Sequence, residues 1–204
     1  MLIIGLTGSV GMGKSTVAAR FREKGIPVCD ADALVHELYE DDAVAPIEAA
    51  FPGATSEGKV DRQKLAALLI ADPSGFKKLE SIVHPLVTAA ERECLGAAYR
   101  AGAEVAVLEV PLLFETGGDN RCDVTIVVSA PAEHQRERVL QRPGMTQDKL
   151  DTILARQLPD GHKRARADFV VDTGQPLDQT LADVDAIIES LKGRRGQAFQ
   201  RYWA

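Results

Sequence analysis

Gly8-Ser9-Val10-Gly11-Met12-Gly13-Lys14-Ser15-Thr16 is the stretch on which the fold turns. Leu2-Ile3-Ile4-Gly5-Leu6-Thr7 before it is a short apolar run that reads as a buried parallel strand. Val17-Ala18-Ala19-Arg20-Phe21 after it reads as a helix. A strand, then G-x-x-x-x-G-K-[ST], then a helix is a phosphate-binding loop in the setting it requires. Glycines let the backbone curl so that successive N–H groups face one hollow, and the helix N-terminus adds partial positive charge. Lys14 can reach the β- and γ-phosphates of a nucleoside triphosphate, and Ser15 can place its hydroxyl on Mg²⁺. Lys14 is read as standing on the loop surface to serve phosphates, not the core. The alternative is a glycine-rich turn that binds nothing. The offsets of Gly8, Gly13, Lys14 and Ser15 after a strand argue against it.

The 204 residues suffice for one α/β domain with insertions, and 45% hydrophobic with 26% charged residues describe an ordinary globule. A net charge of −6 argues against a dedicated nucleic-acid binder. Cys29, Cys94 and Cys122 are far apart with no C-x-x-C, which suggests reduced thiols in a cytoplasmic protein. No apolar run reaches membrane-spanning length. The first apolar run has no charged segment ahead of it, so it reads as a core strand and not a signal peptide.

The first helix is expected to reach about Lys24, with Gly25 following as its C′ residue. Ile26-Pro27-Val28-Cys29 reads as a second strand ending at Asp30-Ala31-Asp32. Ligands of open parallel sheets sit beyond the carboxyl ends of the strands, which expects Asp30 and Asp32 on the rim of the phosphate loop. Asp32 also suits the cap of a helix beginning near Ala33, and spacing leaves capping and catalysis equally open.

From Ala33 to about Gly102 the chain reads as mostly helical, with segments 33–39, 44–51, 62–70 and 86–99 punctuated by Pro52-Gly53 and Glu57-Gly58. That is too long for an ordinary crossover and reads as an inserted helical subdomain. Pro85 suits the first turn of the helix after it, and His84 alone fits a packed or capping role better than a catalytic one. Val105 to Val110, Asp123 to Val128 and Asp168 to Val171 read as further strands, five in all with those above. Glu109, at a strand end, can orient Mg²⁺ or its waters, or lie on a solvated face. Residues 131–142 and 147–158 read as helices around Pro143-Gly144 and carry many arginines and lysines. Cations around a transferring phosphoryl group suit a mobile lid, although a solvated helix pair would look similar. Leu177, Leu181, Val184, Ile188 and Leu191 form one helical stripe, and residues 194–204 read as a loosely held tail.

The chain resembles dephospho-coenzyme A kinases. The loop GSVGMGKST, DAD at Asp30 to Asp32, HP at His84-Pro85, PLLFE at Pro111 to Glu115 and AD-F-V-V-D at Ala167 to Asp172 match that family in order, across residues 1 to about 192. The loop alone is common to many nucleotide-binding proteins. The other four in this order are specific. The resemblance implies an α/β fold: a three-layer P-loop NTPase core with a parallel five-stranded sheet, a helical substrate-domain insertion and a lid. On that reading residues 1–32, 103–135 and 166–193 form the core, 33–102 the CoA-binding domain, 136–165 the lid and 194–204 the tail.

The same resemblance implies transfer of the γ-phosphoryl of ATP to the ribose 3′-hydroxyl of dephospho-CoA, with ATP and Mg²⁺ as cofactors. Asp32 matches the catalytic base, with Lys14 and Arg142 as catalytic cations and Arg142 on the lid. Gly8, Gly11, Met12, Gly13, Lys14, Ser15 and Thr16 match the ATP phosphate site. Asp30, Asp32, His84, Leu113 and Glu115 are the expected substrate contacts, and Ser15 and Glu109 the expected metal residues. The expected partner is the small-molecule substrate, with no nucleic acid or membrane and a monomer or weak oligomer. One departure stands out. The family usually has an Asn soon after the last strand, where this chain reads Asp172-Thr173-Gly174, and Thr173 can supply a hydroxyl instead.

Two other readings compete: another small-metabolite or nucleoside kinase, and an ATP-dependent switch. A standard GTPase is excluded, because the sole Asn, Asn120, is followed by Arg121 and no N-K-x-D exists. No L-S-G-G-Q signature supports a transporter-type ATPase.

Overall fold

In a computed structural model describing residues 1–204, each apolar run read as a strand becomes one. In chain order the first elements are β1 (Leu2–Thr7), α1 (Lys14–Glu23), β2 (Val28–Asp30), α2 (Ala31–Leu38), α3 (Val44–Ala50), β3 (Thr55–Ser56), β4 (Lys59–Val60), α4 (Arg62–Ala71) and α5 (Gly75–Arg100). Then come β5 (Val105–Glu109), β6 (Val124–Ser129), α6 (Ala132–Leu140), α7 (Gln147–Leu154), α8 (Asp160–Arg166), β7 (Phe169–Asp172) and α9 (Leu177–Leu191). Two compact units divide the chain: residues 1–29 with 95–204, and residues 30–94. The expected insertion was 33–102; the smaller unit begins three residues earlier, and its far boundary falls inside α5. The 136–165 segment belongs to the same unit as the sheet and holds α7 and parts of α6 and α8, where two helices were expected.

Five strands form a parallel sheet in the order β2-β5-β1-β6-β7. Leu6 lies opposite Glu109, Thr7 opposite Val127, and Ser129 opposite Asp172. Every residue of β1 is buried, as expected of a strand whose two faces are both covered. The chain leaves β1 towards β5 and β2 on one side and returns with β6 and β7 on the other. The strand order therefore reverses at β1, and residues 8–13 leave the sheet at that switch point. Leu2, Ile4 and Leu6 pack with Val17 and Phe21 of α1 and with Val184, Ile187 and Leu191 of α9. Burying each large apolar side chain contributes roughly 1.5–3 kcal/mol.

Two expectations in this unit are corrected. The buried face of α9 is Thr180, Val184, Ile187 and Leu191, while Leu177 is 60% exposed. Leu177 is the first residue of the helix, where the apolar stripe overruns the core. The tail is docked: Phe199 and Trp203 are buried in a π-helical turn, and the Trp203 indole N–H donates to the Arg121 carbonyl at 2.9 Å. The Asp123 carboxylate ties it down by accepting from the N–H groups of Gln197, Ala198 and Ile3 at 2.6, 2.9 and 2.9 Å. Cys122 is in no disulfide, and its thiol donates to the Gly118 carbonyl at 3.6 Å.

The smaller unit has its own core of Leu38, Ile47, Val60, Leu65 and Leu69, with Phe51, Leu79 and Val83 against it. Glu57-Gly58 is the turn of the β3–β4 hairpin, with φ of 52° and 77°, the left-handed pair a tight hairpin requires. Pro85 does not start a helix. Helix α5 runs through it unbroken, giving up one backbone hydrogen bond at a solvent-facing position.

Candidate active site

The loop between β1 and α1 is shaped by what its glycines permit. Gly11 and Gly13 have φ of 76° and 85°, a conformation side chains resist. At Gly8 a Cβ would stand 2.6 Å from the Val128 carbonyl oxygen. Helix α1 starts at Lys14 with no side-chain cap and no acidic residue in its first turn. Its N–H groups and the positive end of its dipole are left for an outside anion. Ser15 and Thr16 are exposed there.

Side chains from distant segments fix the loop from outside. The Val10 carbonyl accepts from Gln135 Nε2 at 2.8 Å, and the Val10 N–H donates to Gln157 Oε1 at 3.2 Å. Met12 Sδ accepts from the Ala130 N–H at 3.1 Å, and the Met12 carbonyl accepts from Thr173 Oγ1 at 2.7 Å. Thr173, the departure from the family pattern, thus supplies its hydroxyl to the loop. Motif reading missed Gln135 and Gln157. The only signal available for Thr173 was its odd identity.

Lys14 Nζ lies 2.7 Å from Glu109 Oε1. Glu109 is 3% exposed, its Oε2 has no hydrogen-bond donor, and the Arg22 guanidinium stands 3.7 Å from that oxygen. The solvated-face alternative for Glu109 is excluded. Lys14 serves a buried carboxylate as well as the loop, because a nearly buried charge requires a partner.

Within PLLFE the structure separates the roles. Leu113 is fully buried, and its Cδ2 is a near neighbour of Gly5 in β1. It is a packing residue with no surface to offer, which corrects its assignment as a substrate contact. Glu115 Oε1 lies 2.9 Å from the Nζ of Lys163, itself fully buried, and accepts from the Leu158 N–H at 2.8 Å. Glu115 therefore ties the 158–163 segment to the loop after β5. Arg142, just past α6, is exposed and its side chain makes no hydrogen bond or ion pair.

In the smaller unit, Asp30 is the helix cap. Its Oδ1 accepts from the N–H groups of Asp32 and Ala33 at 3.0 and 3.2 Å. Helix α2 begins at Ala31, so Asp32 sits inside the first turn, exposed, and its carboxylate caps nothing. The capping alternative for Asp32 is overturned. His84 is exposed on α5.

Two cavities in the larger unit differ in kind. One of about 730 Å³ opens at the start of β1 and β5, lined by Lys24, Glu104, Lys192 and Arg195 among others. Helices α1 and α9 end there, so their negative poles face it, which disfavours phosphate. One of about 210 Å³ opens at the carboxyl ends of β6 and β7, the end from which the loop leaves β1, lined by Ser129, Pro131, Arg164 and Asp172.

A glycine loop at the switch point of a parallel sheet, an uncapped helix and a loop lysine define a P-loop nucleotide-binding protein. The dephospho-CoA kinase family model matches residues 2–179. A dephospho-CoA kinase of Mesorhizobium japonicum is 55% identical over 196 residues, covering 96% of this chain and all of the relative. The crystal structure of TT1252 from Thermus thermophilus matches with TM-score 0.81 and 37% identity, covering 94% of this chain and 98% of that one. The dephospho-CoA kinase from Campylobacter jejuni, at 23% identity and TM-score 0.70, covering 93% of this chain and 96% of its own, shares the fold. The chain belongs to the dephospho-CoA kinase family, and it uses ATP to phosphorylate dephospho-CoA in the final step of CoA biosynthesis. No helix is long and apolar enough to cross a membrane.

Proposed function

We propose that the phosphates of ATP rest on Gly8, Gly11, Met12, Gly13, Lys14, Ser15 and Thr16, and that the γ-phosphoryl group passes to the ribose 3′-hydroxyl of dephospho-CoA. The observation that carries this is the acid-free, uncapped start of α1 directly behind the glycine loop. Lys14 leaves Glu109 for the phosphates and offsets charge that spreads over the γ-oxygens in the transition state. Asp32 orients the 3′-hydroxyl and takes its proton, which its exposure and freedom from capping permit. Arg142, exposed and without a partner, is available to approach the phosphates. Asp30 and His84 belong to the acceptor side. Glu115 acts through Lys163, by fixing the segment around it.

Mg²⁺ prefers hard oxygen donors and keeps several waters. The exposed Ser15 hydroxyl and the donorless Oε2 of Glu109 fit that preference. When bound, the ion neutralises charge on the β- and γ-oxygens. The enzyme is read as a cytoplasmic monomer or weak oligomer working on a small molecule. Coupled ADP-release assays with dephospho-CoA should give turnover that chelation of Mg²⁺ abolishes. Lys14→Ala should lower kcat roughly a hundredfold or more; more than a tenth of wild-type kcat would refute the loop assignment.

A further inference from the structure

The Met12 carbonyl is held by a hydroxyl that has little freedom to turn elsewhere. Thr173 follows β7 and is 7% exposed. Its N–H donates to the Ser129 carbonyl at 2.8 Å. Its Oγ1 lies 2.7 Å from the Met12 carbonyl and 3.3 Å from that of Ser129. Arg138 of α6 grips the same residue twice, with one guanidinium nitrogen donating to Oγ1 at 3.0 Å and the other to the Thr173 carbonyl at 2.6 Å. An arginine has no acceptor, so the single hydroxyl proton cannot turn towards Arg138 and goes to the nearer carbonyl, that of Met12.

In a trans peptide the C=O and the following N–H point in opposite directions. Holding the Met12 carbonyl against Thr173 therefore turns the Gly13 N–H away from it, and that N–H donates to no group of the protein. Gln135, three residues before Arg138 on α6, does the same for the Gly11 N–H by holding the Val10 carbonyl. Gly13 itself backs onto Thr173, where a Cβ would lie 3.1 Å from Oγ1.

We propose that Arg138 and Thr173 are positioning residues of the phosphate loop. Arg138 sets the Thr173 hydroxyl, the hydroxyl holds the Met12 carbonyl, and the peptide so fixed presents the Gly13 N–H to phosphate. This rests on the phosphate-loop reading of Gly8 to Thr16. The test measures kcat, KM for each substrate, and Tm for Thr173→Val, Thr173→Ser, Arg138→Lys and Lys14→Ala. Thr173→Val keeps the shape and leaves the carbonyl without its donor, so KM for ATP should rise roughly tenfold while KM for dephospho-CoA stays put. Thr173→Ser should restore KM for ATP to within about threefold of wild type. Arg138→Lys keeps the charge but loses the fork and should shift KM for ATP in the same direction as Thr173→Val. It carries the comparison if Thr173→Val does not fold. A fall in Tm with unchanged KM for ATP in Thr173→Val, or a serine variant no better than valine, overturns the proposal. If Lys14→Ala is also silent, the phosphate-loop reading falls. If Lys14→Ala is inactive while Thr173→Val is silent, only the positioning role falls.

Discussion

Asp30 and Asp32 are two residues apart and should fail in opposite ways. Asp30 Oδ1 accepts two N–H groups at the start of α2, at 3.0 and 3.2 Å. Asp30→Ala removes that cap, a loss of about 1 kcal/mol. In a chain of this length, that lowers Tm by about 2–4 °C. Asp30→Asn keeps a capping oxygen and should leave Tm nearly unchanged. Asp32 makes no cap, so Asp32→Asn forfeits only the attraction of its charge for the helix N-terminus, about 0.5 kcal/mol and ~1–2 °C. Turnover should show the reverse. Loss of a proton acceptor removes roughly a hundredfold or more from kcat, equivalent to about 2.7 kcal/mol of barrier, several times the stability term. The loose character of phosphoryl transfer favours the lower end of that range. Coupled ADP release at saturating ATP and dephospho-CoA, beside thermal melts of the same preparations, checks both. Asp32→Asn with more than about a third of wild-type kcat would refute the base assignment, as would an equal loss in Asp30→Asn.

Lys14→Ala should lose stability as well as turnover, because it strands the buried carboxylate of Glu109. Arg22, 3.7 Å away, softens the loss to about 1–3 kcal/mol. The Lys14→Ala/Glu109→Gln double variant should recover Tm without recovering activity, and additive Tm losses would count against the pairing. Arg142→Ala should lower kcat roughly tenfold or more with ATP Kd little changed, since its side chain holds nothing in the unliganded protein; unchanged kcat with weakened ATP binding would mark a static contact. Asp185 of α9 is hydrogen-bonded first by Arg20 and then by Lys24, which pull its pKa from 3.8 down to about 2. A depressed folded-state value means that the stabilisation is present above pH ~3.8 and is lost as pH falls through about 2. The Tm gap between wild type and Asp185→Asn, measured from pH 7 down to 2, should therefore close between those values; a gap constant across the range would contradict it.

The local motifs were legible because their physics is local. A strand, a glycine loop and a helix start lie within sixteen consecutive residues, and each needs only its neighbours to be recognised. The sheet's strands were legible too, since runs apolar on both faces have few other ways to be buried. Five stretches in family order sufficed for the activity. Capping was less legible: whether Asp30 or Asp32 caps α2 depends on a helix start displaced by two residues, and composition does not resolve helix ends so finely. Glu57-Gly58 was legible as a break, and it is the turn of the β3–β4 hairpin, whereas the passage of α5 through Pro85 was misread, because a long helix packed on the smaller unit's core tolerates the loss of one backbone hydrogen bond.

What closes over long separations was left to the tertiary structure. Lys14 meets Glu109 across 95 residues, and Thr173 meets the Met12 carbonyl across 161. The burial of Leu113, the docking of Trp203 and the face that α9 turns inward also follow from which surfaces meet. The chain alone determined that a phosphate loop would form, because residue types restrict local backbone shape. Which distant side chains hold that loop was decided only by the packing of the sheet and its helices, since such contacts form only where the fold has already brought donor and acceptor together.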